Sequence, residues 1–335
     1  MPFIDEILKY RSISIVGLEK NTGKTECLNY ILNRIKNKKA NIAITSIGID
    51  GENIDQVSLT HKPEIDVFEG MYFITSEKHF KEKRLIAEIC NISDKRTSLG
   101  RLVTAKAIST GKVIFSGPPD TKWLKDIINS MSALNINTTI VDGALSRKSI
   151  GSPAITDAMI LNTGAALSLN INQLLKKTKY IVDLINIDSI NTLLTKKLSN
   201  IETGVWAIDD DNIIQNLNIS SVFAIENNKN KLFSYGYKIF VAGAVSDSFI
   251  NFLRTQNNCN KIELIVKDFS KIFATPEMYN SFLQKGGKIK VLYKTKLLAV
   301  CVNPISPDGF SFNSKEITEK LSEKLNLPVY DIKKI

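Results

Sequence analysis

The sequence predicts an α/β protein with a mostly parallel sheet, followed by a second, smaller α/β domain. Three observations carry this. Short apolar runs alternate with helix-patterned segments through the first half, which calls for crossover units and parallel strands. The pattern changes after about residue 170. And 335 residues exceed the usual size of one compact domain. The expected division is 1–175 and 176–335, with the boundary falling softly between residues 170 and 200.

In order, Ser12–Val16 reads as a strand, and Thr25–Ile35 as a helix, with Leu28, Ile31, Leu32 and Ile35 on one face. Ala40–Ile49 is the next strand. Ile65–Phe68 and Met71–Ile74 flank Glu69-Gly70 and predict a hairpin. Lys83–Cys90 and Leu99–Ser109 read as helices. Val113–Ser116 is an apolar run stopped by Gly117-Pro118-Pro119. Trp123–Leu134 reads as a helix, and Thr138–Val141 as a strand ending at Asp142-Gly143. In the second part, Ile171–Ile187 is helical, while Val205–Ile208 and Val222–Ile225 are short strands. Lys238–Ala242 with Asp247–Arg254 forms a strand–helix unit. Ile262–Val266 and Lys288–Val302 are apolar, and Leu297–Val302 lacks alternation, as a doubly covered strand would. Ile317–Leu325 is a helix.

Composition narrows the function classes. With 43% hydrophobic and 23% charged residues the chain is ordinary globular material, not a disordered polymer. The formal charge of +10 raises nucleic-acid binding, but the lysines are dispersed along the whole chain and form no stripe, so a nucleic-acid surface is not expected. Cys27, Cys90, Cys259 and Cys301 are widely spaced and read as buried small apolar residues in a reducing compartment. His61 and His79 are too few for a histidine metal site. Met1–Glu6 lacks a secretory pattern, and the apolar stretch Ala158–Leu169 is too short and polar to span a bilayer. A cytoplasmic protein without a membrane partner is expected.

The chemistry concentrates in Gly17-Leu18-Glu19-Lys20-Asn21-Thr22-Gly23-Lys24-Thr25. It stands between a strand and a helix, the context of a phosphate-binding loop. Glycines let the backbone curl so that amides point inward, and the helix start aims uncapped N–H groups at the same anion. The set Gly17, Lys20, Asn21, Thr22, Gly23, Lys24, Thr25 and Glu26 is therefore the expected nucleotide contact. Lys24 would reach the β- and γ-phosphates as a catalytic cation, and the Thr25 hydroxyl would ligate Mg²⁺. Lys20 is either a second phosphate cation or a solvated loop lysine.

Two aspartates stand at strand ends. Asp142 follows Asn137–Val141 in the manner of a Walker B strand and is expected to hold the metal. Asp50, with Glu52 beside it, is the second metal and catalytic candidate, although Asp-Gly pairs also serve as turns. Arg147 is read as a surface partner of an acid more than a γ-phosphate sensor. Asp209-Asp210-Asp211 reads as a solvated turn, because adjacent side chains converge poorly on one ion. No NKxD sequence occurs, so ATP is expected over GTP.

The five residues between the loop glycines, one more than usual, resemble the loop of dethiobiotin synthetase, in the P-loop class that also holds MinD-type ATPases and metallochaperone GTPases. That class implies a P-loop NTPase domain in which Asp50 positions the attacking water. Gly17–Thr25, Thr45–Glu52 and Val141–Arg147 together resemble a P-loop family associated with adenosylcobalamin-dependent lysine and ornithine aminomutases. This resemblance implies an ATP-driven reactivating factor acting on an aminomutase or with a second reactivase subunit, and the class implies pairing into homodimers. The alternatives are a small-molecule synthetase or kinase of the dethiobiotin synthetase kind, and a nucleotide-gated interaction module.

Overall fold

The computed structural model describes residues 3–38, 40–47, 64–144, 155–225 and 229–334. They fall into two compact units: residues 1–178 with 296–335, and residues 179–295.

The first unit contains α1 (Phe3–Ile7), β1 (Ser12–Gly17), α2 (Lys24–Ile35), β2 (Ile42–Ser46), β3 (Ile65–Val67), β4 (Tyr72–Ser76), α3 (Glu77–Glu82), β5 (Ala87–Thr97), β6 (Gly100–Ala107), β7 (Gly111–Val113), α4 (Thr121–Ser130), β8 (Thr138–Ala144) and β9 (Ala158–Gly164). Helix α5 (Ile171–Ile185) crosses the boundary. The second unit adds α6 (Thr192–Ser199), β10 (Val205–Ile208), β11 (Ile214–Ile219), α7 (Lys229–Leu232), β12 (Lys238–Val241), β13 (Val245–Ser246), α8 (Asp247–Arg254), β14 (Glu263–Val266), β15 (Ile272–Phe273), α9 (Pro276–Gln284) and β16 (Lys288–Val291). The chain then returns to the first unit with β17 (Lys296–Asn303), α10 (Ser314–Leu325) and β18 (Val329–Asp331).

The larger sheet has nine strands in the order β18-β17-β9-β1-β8-β2-β4-β6-β5. All neighbours from β18 to β4 are parallel, and β6 and β5 add an antiparallel edge. β1 and β9 are buried at every position, which is why neither shows alternation in sequence. Cys27, Leu28, Ile31, Leu32 and Ile35 form the buried stripe of α2 and pack with Ile13, Ile15, Ile42 and Ile44 of the sheet. On another cluster, Trp123 and Met131 of the α4 region meet Ala43, Ile74 and Leu102. The smaller sheet, β11-β10-β12-β14-β16, is parallel from β12 to β16, with α8 and α9 as crossovers, and β10 runs antiparallel to both of its neighbours.

Several expectations are corrected. Residues 296–335 belong with the first unit, not with a domain 176–335, because the apolar run of β17 finds its partner in the buried strand β9. Ile65–Phe68 and Met71–Ile74 do not pair with each other: β3 pairs with β7, and β4 lies between β2 and β6. The two helices expected over Lys83–Ser109 are instead the β5–β6 hairpin, turned at Thr97↔Gly100 with Gly100 at φ 95°. Val222–Ala224 is a short 3₁₀ turn, and the strand of that region is β11. Cys90 is exposed, whereas Cys27, Cys259 and Cys301 are buried as expected. Among the described residues no helix is long and apolar enough to cross a membrane.

Candidate functional site

β1 delivers the chain to Gly17 at the carboxyl edge of the larger sheet, the edge where open α/β sheets bind ligands. Gly17 has no room for a side chain: a Cβ there would stand 2.5 Å from Thr22 Oγ1 and 2.9 Å from Lys24 Cγ. The turn that follows is held from within and from its flank. Thr22 Oγ1 donates to the Glu19 carbonyl at 2.8 Å, and the Lys20 amide donates to Glu19 Oε1 at 3.0 Å. Leu18 N donates to the Asn162 carbonyl at 2.9 Å, and Asn303 Nδ2 donates to the Asn21 carbonyl at 3.3 Å.

Two residues of the turn are left-handed, Asn21 at φ 60° and Gly23 at φ 85°. Gly23 is the residue before the first turn of α2 and has no side chain to cap it. The first intrahelical bond is Cys27 N to the Gly23 carbonyl, so the amides that precede it at the helix start have no helical acceptor. That leaves donors and the positive end of the helix dipole facing outward from one point.

Lys24 and Asp142 meet beside this point. β8 lies between β1 and β2, and its register places Asp142 opposite Ile15 on one side and Ser46 on the other. The Lys24 ammonium donates to Asp142 Oδ1 at 3.2 Å, and each side chain keeps about a fifth of its surface, 21% and 18%. The pair is therefore sheltered yet open to solvent. Such a cation, with uncapped amides nearby, suits an anion that carries several oxygens.

The remaining predicted residues are distributed as follows. Thr25 is half-buried in the first turn of α2. Lys20 is exposed on the turn. Glu26 is exposed and forms an ion pair with Lys333 at 3.1 Å, which directs it toward the far end of the chain. Asp50, Glu52, Arg147 and His61 lie outside the described residues. His79 is buried, with Nδ1 3.1 Å from Ser116 Oγ, and serves the sheet face under α3. Asp209 accepts the amides of Asp211 and Ile213, so the triple aspartate is a turn, as its sequence implied. Among the described residues no group of three acidic, histidine or cysteine side chains converges to enclose a metal.

Sequence reasoning missed Asn162, Asn303 and Ile332. Asn162 is fully buried opposite Gly17, and Asn303 and Ile332 bound Gly23. The Asn-Pro ending of the apolar run Leu297–Val302 was the available signal, but only the strand order β17-β9-β1 places it against the turn. Comparison with protein-family models, with curated proteins and with solved structures gave no match.

Proposed function

We propose that the chain is a P-loop protein that binds ATP with Mg²⁺ at the Gly17–Thr25 turn and hydrolyses it. One observation carries this reading: an uncapped, left-handed glycine opens α2 directly beside a partly exposed Lys24–Asp142 pair at the ends of two adjacent parallel strands. Backbone amides at the start of α2 would cradle the phosphates, and Lys24 would supply the cation for the β- and γ-oxygens. The metal donors would be Thr25 and Asp142. Two protein oxygens suit Mg²⁺, which keeps several waters and takes few protein ligands. Bound there, Mg²⁺ would neutralise developing charge on the phosphates. Asp50 is assigned the positioning of the attacking water, on the class resemblance.

The wider role follows from the resemblance of Gly17–Thr25, Thr45–Glu52 and Val141–Arg147: ATP-driven reactivation of a cobalamin-dependent aminomutase. Nucleotide-dependent rearrangement around Asp50 and Asp142 would alter a protein-facing surface and drive the partner's conformation.

Calorimetric titration with Mg–ATP tests the site. Lys24→Ala is expected to weaken binding by at least about tenfold, since a charge-assisted bond to phosphate is lost. Unchanged affinity would sink the nucleotide reading. ATP turnover with and without an adenosylcobalamin-dependent aminomutase tests the role. Stimulation by the mutase supports reactivation, and turnover driven instead by a small carboxylate or amine would replace it with the synthetase alternative.

A further inference from the structure

The larger sheet ends on β5, which pairs with β6 and, among the described residues, with no strand on its other side. It is 11 residues long, the longest described strand, and most of its residues are exposed. Such an edge carries a row of N–H and C=O groups able to pair with another chain. Its two sides differ. Ile89 and Ile92 stand opposite Ala105 and Val103 of β6, which face the core shared with α2. Both isoleucines nevertheless keep much of their surface, 48% and 36%. Glu88 and Asn91 stand opposite Lys106 and Thr104 and so lie on the reverse side. The register shifts at Cys90 and again between Ile92 and Arg96. The first shift is what brings Ile89 and Ile92 to one side at a spacing of three.

Charge changes sign along the strand. Glu88 stands near its start and Lys95 and Arg96 near its end, where they outnumber Asp94. Glu88, Lys95 and Arg96 are exposed, and none forms a salt bridge with a described residue. Lys106, opposite Glu88, lies instead over the Tyr72 ring, 5.6 Å from its centroid. An edge guarded against its own copy carries charge of one sign, which repels that copy in either direction. Here the pattern repels only a parallel copy, which would set Glu88 against Glu88 and Lys95-Arg96 against Lys95-Arg96. An antiparallel copy sets each Glu88 against the Lys95-Arg96 end of the other strand. It also gathers Ile89 and Ile92 of both copies on one side of the joined sheet. A foreign strand would have to carry this sequence of signs and apolar residues in reverse; a second β5 has it built in.

We propose that β5 is a self-pairing edge, along which two copies of this chain join antiparallel so that one sheet runs through both. β8, β2, β4 and β6 separate β5 from β1, so the contact leaves both Gly17–Thr25 turns outside it. Pairing therefore needs no nucleotide.

Sedimentation equilibrium of the full chain without nucleotide reads the pairing. A dimer is expected at a chain concentration of about 100 μM. Glu88→Lys gives one chain whose copies repel, and Lys95→Glu with Arg96→Glu gives a second. Each alone is expected to dimerise at least about tenfold more weakly than the parent. An equimolar mixture of the two is expected to recover a dimer holding one of each, because the signs again oppose at both ends. All three positions are exposed, and urea transitions confirm that the variants fold. Hydrogen exchange over residues 87–97 is expected to slow as the parent dimer forms. The proposal is overturned if the parent stays monomeric at that concentration, or if both charge-reversed chains dimerise as tightly as the parent. It is equally overturned if their mixture stays monomeric, or if exchange over residues 87–97 is unchanged by dimerisation.

Discussion

Gly23→Ala separates two energetic terms that meet at the start of α2. Gly23 stands at φ 85°, where an alanine pays roughly 1–2 kcal/mol for placing Cβ against its own backbone. The new Cβ would also overlap the Ile332 Cδ1 methyl and stand 3.1 Å from Asn303 Cβ. Overpacking of this kind costs about 1–3 kcal/mol, so the substitution is expected to destabilise the first unit by about 2–5 kcal/mol in total. Urea unfolding followed by Trp123 emission, in a Trp206→Phe background, reads that unit. Repeating the substitution with Ile332→Ala removes the methyl and should leave the backbone contribution of about 1–2 kcal/mol together with the milder Asn303 contact. A cost below about 1 kcal/mol in both backgrounds would refute the left-handed helix start. An identical large cost in both would refute the Ile332 contact.

Further expectations concern other parts of the molecule. Gly117→Ala would drive a Cβ into the Ser46 carbonyl at the end of β2. Backbone cannot yield as a side-chain tip does, so a loss of about 3 kcal/mol or more in the same urea assay is expected. Glu77 is held below its ordinary carboxylate range, first by the Arg101 amide at 3.0 Å and then by the Arg101 side chain. Its contribution to stability is therefore present above about pH 4.5, the unfolded value, and is lost as pH falls through the lower folded value. Glu77→Gln should be less stable than the parent at neutral pH, with the gap closing in acid unfolding curves; a gap that widens in acid contradicts the pairing. Cys90 is the exposed thiol of the four, although burial of its immediate surroundings raises its pKa. A thiol reagent should modify Cys90 alone in the folded protein, and Cys27, Cys259 and Cys301 only on unfolding, as peptide mapping would report.

What sequence could reveal tracks how one-sided each environment is. α2 was legible because its apolar residues recur on one face over a covering sheet, and β1 because its run is apolar and bounded by a glycine turn. β6 was misread because Leu102, Val103, Thr104 and Ala105 are all buried, which erases a period of two. Its neighbour β5 is exposed along most of its length, so nothing marks a covered face there. In both cases alanine, lysine and leucine favoured a helical reading, while Gly100 was the overlooked hairpin mark. The candidate site divides similarly. Gly17, Gly23, Lys24 and Asp142 are local to their motifs, and the structure brings Lys24 to Asp142. Asn303 and Ile332 reach Gly23 only through long-range strand order, which no local pattern encodes.

The return of the chain after residue 295 has a consequence for biosynthesis. A ribosome releases the elements through β9 long before β17 and β18, with the whole second unit emitted in between. Until then β9, buried on every residue in the finished molecule, is the unpaired outer strand of a nascent sheet. Gly23 likewise waits for Ile332 and Asn303 before its flank is filled. The flank of the Gly17–Thr25 turn is thus completed only after the whole second unit has been made. An arrested chain lacking residues 296–335 would present a sticky, half-built sheet, a natural client for chaperones.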